Sequence, residues 1–114
     1  MKTMTTALIS LLLVMRESAM TQDYEPTRTY EVLVQSVRLP SGPSGTITVK
    51  ECDDCDYETY RVTAQTVYAV NGKPMRLSDF RKVIDDLRLG SGHVVNVRRD
   101  LQTDKIVKVF IYTQ

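Results

Sequence analysis

The residues best suited to chemistry lie in one short segment, KECDDCDYE, at residues 50–58. Cys52 and Cys55 are the only two cysteines of the 114-residue sequence, and five acidic side chains surround them. A pair of this spacing serves as a redox centre, as two ligands of a metal ion, or as a disulfide. These three chemistries place different demands on the neighbouring residues, so the neighbours discriminate between them.

The charge around the cysteine pair disfavours a redox centre. A reactive thiol needs a lowered pKa, which a helix N-terminus or nearby cations supply. Here the neighbours are carboxylates, which oppose formation of a thiolate. The sequence before the pair also lacks a βαβ pattern. Thioredoxin-like activity is therefore not expected.

A metal centre lacks ligands. Structural zinc takes four nitrogen or sulfur ligands, and the chain offers two thiols and a single histidine, His93. The five acids suit calcium better, but their spacing does not match the twelve-residue EF-hand loop. We therefore predict no metal and no cofactor, with cation binding by the acidic segment as an alternative.

A disulfide is the chemistry that requires least of this segment, because it needs only the two cysteines at the ends of a turn. The end residues of a β-turn have Cα atoms within about 7 Å, and a disulfide needs about 4.4–6.8 Å. The sequence therefore predicts a turn closed by a bridge between Cys52 and Cys55. Such bridges persist in oxidising compartments, which links this prediction to export.

The N-terminal residues have the pattern of a secretory signal peptide. Lys2 precedes an apolar run from Met4 to Met15, and Ser18 and Ala19 are small residues of the kind found at cleavage sites. The run is too short for a stable membrane span, which needs about 20 residues. We therefore assign residues 1–19 to a signal peptide and expect a periplasmic or secreted protein.

The remaining sequence predicts one small domain. Residues 20–29 are polar and without periodicity, which is typical of a flexible tether, and residues 30–114 carry the structured pattern. The hydrophobic fraction of 42% is that of a folded chain. A formal net charge of +1 makes nucleic acid an unlikely partner, because proteins that bind phosphates usually carry a basic excess.

Period-two patterns predict five strands. Val32 and Val34 fall on one face of the first strand and Val37 on the other; the second strand is TITVKE, and the third is YETYRVTAQTVYAV. The third is long enough to be bent or broken near residues 64–65, and Asn71-Gly72 after it marks a tight turn. The segments HVVNVRR and KIVKVFIY complete the set, the latter with Val107, Val109 and Ile111 on one side.

One segment, LSDFRKVIDDLRLG, has the period of an amphipathic helix. Its apolar face is Phe80, Val83, Ile84 and Leu87, and its charged side chains, including Arg81 and Arg88, are expected to face water. Ser78 is expected to cap its start and Gly90 to end it.

The element order is strand, strand, long bent strand, helix, strand, strand. This order is that of the OB-fold, a partly open five-stranded barrel that binds through its second and third strands and adjacent loops. We therefore predict a mainly β fold with one helix, as a small five-stranded OB-like barrel. The alternative is an α+β arrangement with the helix on an open antiparallel sheet.

The sequence also resembles the small all-β, OB-like repeat domains of uncharacterised exported bacterial proteins. The resemblance lies in the rhythm of TVYAVNGKPMRLSDF and VVNVRRDLQTDKIVKVFIY, carried by Thr66, Gly72, Leu77, Val95, Val97 and Ile106, and covers roughly residues 30 to 114. It implies the same small barrel and export, and it supplies no functional residues.

For function, the sequence favours a non-catalytic binding or interaction module of the cell envelope over an enzyme. It shows no nucleophile with a base, no HExxH motif and no phosphate-binding glycine loop. The expected partner is an envelope protein or a saccharide. Alternatives are an OB-like oligonucleotide-binding protein and a small structural or metal-binding envelope protein. The possible ligand-binding residues are Tyr57, Tyr60, Tyr68, Arg61, Arg76, Arg98 and Arg99.

Overall fold

The computed structural model describes residues 26–113. The predicted signal peptide, and the tether up to residue 25, lie outside this range. The structured domain begins earlier than predicted, because strand β1 starts at Thr27. Thr27, Arg28 and Thr29 pair with Asp100, Arg99 and Arg98 of a later strand, so the last three residues of the predicted tether belong to the sheet.

The described chain contains seven strands, one 3-10 turn and one α-helix. In chain order these are β1 (Thr27–Leu33), the 3-10 turn (Val34–Ser36), β2 (Val37–Arg38), β3 (Thr46–Val49), β4 (Glu58–Val70), β5 (Lys73–Met75), α1 (Leu77–Leu87), β6 (Val94–Asp100) and β7 (Lys105–Ile111). The fold is therefore mainly β with one helix, as predicted. The five predicted strands are present, but the first is broken by the 3-10 turn into β1 and β2, and β5 is a short addition.

The strands form one curled, mixed sheet in the order β1-β6-β7-β4-β3-β2. Its two outer strands, β1 and β2, are halves of one continuous segment joined by the 3-10 turn, so the sheet must curl back towards itself. β4 and β7 run parallel and the other neighbours antiparallel, which rules out the purely antiparallel alternative. The result is a small barrel-like fold of OB type.

A tight hairpin at Asn71-Gly72 joins β4 to β5. Both residues have positive φ, 52° and 83°, and Val70 pairs directly with Lys73 across the two-residue loop. Such loops need left-handed backbone at both positions, which asparagine and glycine tolerate best. The turn predicted at this dipeptide is confirmed.

The predicted irregularity in the long strand is a bulge. Against β7, the pairing jumps from Val62 opposite Ile106 to Val67 opposite Lys108. The side chain of Thr66 bridges the gap, since its hydroxyl donates to the Ile106 carbonyl (2.7 Å) and accepts from the Thr63 N–H (2.9 Å). One buried hydroxyl therefore replaces backbone pairing at the bulge.

Two irregularities also correct the predicted strand faces. The 3-10 turn resets the alternation, so that Val37 is buried together with Val32 and Val34. In β7, Val107 is the extra residue of a bulge against β6, where Arg98 pairs with Lys108 and Arg99 with Ile106. Ile106 is therefore buried in place of Val107, which is 36% exposed. Period-two patterns predict a face only within an uninterrupted strand.

Helix α1 packs on the barrel through Phe80 and Ile84, both fully buried. Three predictions about it were wrong. Gly90 does not end it, because the helix ends at Leu87 with Arg88 as the C-cap residue. Ser78 is not the cap: Arg76 is the N-cap residue, in an extended conformation and without a side-chain cap, because its carbonyl accepts the N–H of Phe80 (2.9 Å). Arg81 and Arg88 do not simply face water, because Arg81 donates to the Pro40 carbonyl and Arg88 to the Val37 carbonyl (2.7 Å).

The interior of the curled sheet holds the hydrophobic core. Its members come from every long strand and from α1, and the largest fully buried side chains include Phe80, Ile47, Ile84, Ile106 and Ile111. Over residues 26–113 there is no helix with the length and apolar character needed to cross a bilayer.

Candidate functional site

The cysteine segment forms a closed turn between β3 and β4. Cys52 and Cys55 lie at disulfide distance and are joined, with their Cα atoms 5.0 Å apart. The N–H of Cys55 donates to the Cys52 carbonyl (3.2 Å), which is the hydrogen bond of a β-turn. A disulfide withdraws both sulfurs from thiolate chemistry and metal binding.

Three of the predicted ligand-binding residues lie apart from one another. Tyr68 is a core residue against Phe80, with ring centroids 5.5 Å apart, and burial raises the pKa of its hydroxyl. Arg76 precedes α1. Arg98 lies on the outer side of β6, with its guanidinium 5.1 Å from the ring centre of Phe110. These three residues do not form one site with the others.

The structure brings Tyr60 and Arg99 together at one end of the barrel. The rings of Tyr30 and Tyr60 stack with centroids 5.5 Å apart. Arg99 donates to the Tyr30 hydroxyl (2.9 Å), lies 5.0 Å from the ring centre of Tyr60, and pairs with the carboxylate of Asp104. Arg28 lies 4.7 Å from the ring centre of Tyr30. This arginine–tyrosine cluster closes the end of the core.

The cluster perturbs the acidity of its members. Burial raises the pKa of Tyr30, but the Tyr60 hydroxyl and the Arg99 guanidinium stabilise the phenolate, and the net pKa is lowered. Burial and the neighbouring Tyr30 hydroxyl raise the pKa of Tyr60 to about 12. Hydrogen bonds to Tyr30 and Asp104 raise the pKa of Arg99. At neutral pH Tyr60 is therefore a neutral phenol beside the permanent cation of Arg99.

A second group of side chains lies on the outer surface of the sheet beside this cluster. Strand alternation places Ile47, Val49 and Val62 inside, so their neighbours in sequence point outward. The pairings Arg38 with Thr48, Thr48 with Thr59, and Arg61 with Lys105 bring the outward residues of four strands side by side. We call this surface the cation–threonine face: Arg38, Thr46, Thr48, Lys50, Tyr57, Thr59, Arg61 and Lys105.

The cations of this face lack acidic partners. Within residues 26–113, salt bridges join Arg28 to Glu51, Arg88 to Asp85 and Arg99 to Asp104, and none includes a cation of the face. Two of its cations, Arg38 and Lys50, lie 5.2 and 5.6 Å from the ring centre of Tyr57. Arg38, Arg61 and Lys105 are exposed and Lys50 is half-buried. Because none of the four pairs with a carboxylate, these charges are available to an anionic ligand.

The threonines add hydroxyl groups between the cations. The hydroxyls of Thr48 and Thr59 lie 3.1 Å apart and share one hydrogen bond. Such a pair uses one of its two protons, so the other remains free to donate. At one end of the face a depression of about 480 Å³ is lined by Thr46, Thr59, Tyr60, Arg61, Thr103, Asp104 and Lys105.

Sequence reasoning found part of this face and missed the rest. Tyr57 and Arg61 were predicted, and Tyr60 lines the depression from the arginine–tyrosine cluster. The missed residues are Arg38, Thr46, Thr48, Lys50, Thr59 and Lys105. A signal for some of them was present, because Thr46, Thr48 and Lys50 recur at every second position of one strand. Recognising a surface, however, required knowing which strands are neighbours.

In the described part of the chain, no three His, Cys, Asp or Glu side chains gather in a way that suits a metal ion. His93 is half-buried just before β6, where its carbonyl accepts the N–H of Val34 (3.0 Å). No family model, curated protein or solved structure matches this chain significantly. Any functional assignment must therefore come from the residues of the face itself.

Proposed function

We propose that this protein is a non-catalytic binding module of the cell envelope and that it holds its partner on the cation–threonine face. The observation that carries the proposal is the grouping of four unpaired cations and three threonine hydroxyls on one exposed surface. An envelope polymer or protein with anionic groups is the complementary partner.

Binding without catalysis suits the chemistry of this surface. Among residues 26–113, the hydrogen bonds of Thr46, Thr48 and Thr59 include none to a carboxylate or an imidazole. A threonine without a base is a weak nucleophile but a good hydrogen-bonding group. These hydroxyls therefore serve recognition.

The location in the envelope rests on two features of the chain. One is the secretory pattern of residues 1–19, and the other is the Cys52–Cys55 pair at disulfide distance, which is compatible with an oxidising compartment. Fractionation of cells that express a tagged full-length protein tests this part. Recovery in the extracytoplasmic fraction is expected, and recovery wholly in the cytosol would contradict it.

Binding to isolated envelope material tests the surface. The protein should be retained by this material, and Arg61→Gln combined with Lys105→Gln should release most of it. The matched control is Lys73→Gln with Lys82→Gln, which removes two exposed cations outside the face. Equal retention of the two double variants would show that the face is not the binding surface.

A further inference from the structure

We infer that the ligand of the cation–threonine face is an acidic polysaccharide, that is, a sugar polymer with repeated carboxylate groups. This inference rests on the proposed function and names the chemical class of its partner. It follows from three features of the face: where its charges lie, what its aromatic rings already contact, and which groups fill the space between the charges.

The charges form two separate pairs. Arg38 and Lys50 flank Tyr57 at one end of the face, and Arg61 neighbours Lys105 at the other. Tyr57 immediately precedes β4 and Arg61 lies four residues further along, which corresponds to about 13 Å at the rise of extended chain, about 3.3 Å per residue. An extended ligand with anionic groups at intervals reaches both pairs, whereas a single small anion reaches one.

The aromatic rings disfavour single-stranded nucleic acid. Proteins that bind single strands use exposed aromatic faces on which bases stack. Here the ring of Tyr60 stacks on Tyr30 and lies beside Arg99, and the ring of Tyr57 lies beside Arg38 and Lys50. Tyr60 is thus already stacked, and Tyr57, 47% exposed, is the one exposed ring of the face, so successive bases lack a second platform.

The surface also disfavours an acidic peptide. Peptides that bind to sheets usually add a strand to a free edge or insert side chains into apolar pockets. The face lies on the outer side of paired strands, and the side chains between its cations are threonines. The backbones of β3 and β4, which carry its threonines and Arg61, are already paired with strands on both sides.

The threonines complete the match to a sugar polymer. Thr46, Thr48 and Thr59 form a hydroxyl surface between the two cation pairs, and Thr103 extends it into the depression. A sugar ring presents several hydroxyls that both donate and accept, as threonine does. Charge then attracts the carboxylates, and the hydroxyls between them bond to the sugar rings.

A direct binding measurement tests this inference. The probes are polygalacturonate, neutral dextran, polyglutamate and oligothymidine, the three polyanions at matched charge concentration and near-physiological salt. Polygalacturonate should bind, and dextran, polyglutamate and oligothymidine should each bind with an affinity lower by about tenfold or more. Arg61→Gln with Lys105→Gln should weaken polygalacturonate about tenfold, and Lys73→Gln with Lys82→Gln should not.

A second variant tests the hydroxyls. Thr48→Val with Thr59→Val keeps the shape and the charge of the face, and it should weaken polygalacturonate several-fold. Unchanged circular dichroism confirms that the variant is folded. The inference is overturned if polygalacturonate does not bind, or if polyglutamate or oligothymidine binds as tightly. If envelope retention still depends on Arg61 and Lys105 in that case, the proposed function stands and only the ligand class is wrong.

Discussion

Replacing Thr66 by valine tests how the bulge in β4 is stabilised. Thr66 is 8% exposed, and its hydroxyl bonds both to the Thr63 N–H and to the Ile106 carbonyl. Valine has nearly the same shape and the same preference for strands, so the substitution leaves no cavity. It removes the two hydrogen bonds and leaves two backbone groups without the partner that the bulge provides.

The expected loss follows from those two groups. An unsatisfied buried donor or acceptor costs about 1–3 kcal/mol. Two such groups would cost about 2–6 kcal/mol together. Because the bond to Ile106 is buried and that to Thr63 only part-buried, we expect the low end of this total, about 2–3 kcal/mol. For a domain of this size, 1 kcal/mol shifts Tm by about 4–8 °C, so Tm should fall by about 10–20 °C.

Urea and thermal unfolding, followed by circular dichroism, measure this loss. Thr66→Ser is the matched control, because it keeps the hydroxyl and loses one methyl group, worth about 0.8 kcal/mol. The reasoning predicts that valine destabilises more than serine. If valine were tolerated within about 0.5 kcal/mol, or if serine were the more damaging change, the hydroxyl would not hold the bulge.

Three further predictions concern the helix, the bridge and the tyrosine pair. Ile84→Asp places a charge at a fully buried site and should abolish cooperative unfolding in denaturant titrations. Lys82 is exposed, so Lys82→Asp should lower the free energy of unfolding by about 0.5 kcal/mol or less. Similar tolerance of both variants would contradict the packing of α1. Thiol assay and elemental analysis of the purified protein should find no free thiol and no stoichiometric metal. The double variant Cys52→Ser, Cys55→Ser should lose about 1–2 kcal/mol of unfolding free energy, and one equivalent of bound metal would contradict the disulfide. Because burial raises the pKa of Tyr60 from 10.0 to about 12, Tyr60 should stabilise the fold fully below pH 10 and lose that contribution as pH rises towards 12. Ultraviolet absorbance should show a tyrosinate step near pH 12 that Tyr60→Phe removes. Persistence of the step in this variant would mean that another residue is responsible.

Local patterns in the sequence predicted the elements well, because their causes are local. Alternation produces β3 and β6, and Asn71-Gly72 forms the hairpin since both residues accept positive φ. The helix face followed from its spacing, with Phe80 and Ile84 buried as predicted. The bend in the long strand was predicted from its length, although the hydroxyl that stabilises it was not.

Features that depend on distant contacts were missed. The parallel pairing of β4 with β7, which places Lys105 beside Arg61, joins segments about forty residues apart. Arg88 was expected in water because its helical position is on the polar side, yet it reaches the carbonyl of Val37 beside the 3-10 turn. Similarly, Tyr57 and Tyr68 were both predicted to bind a ligand, but Tyr57 lies exposed before β4, whereas Tyr68 is buried within β4 against Phe80.

Lysine footprinting on the envelope-bound protein tests the proposed binding face most directly, because it needs no knowledge of the ligand. Lys50 and Lys105 belong to the cation–threonine face, whereas Lys73 and Lys82 lie at the hairpin and on the helix. When the protein is acetylated in the presence and absence of envelope material, binding should protect Lys50 and Lys105 and leave Lys73 and Lys82 fully reactive. Protection of Lys73 or Lys82 in their place, with Lys50 and Lys105 unprotected, would contradict the assignment of this face as the binding surface.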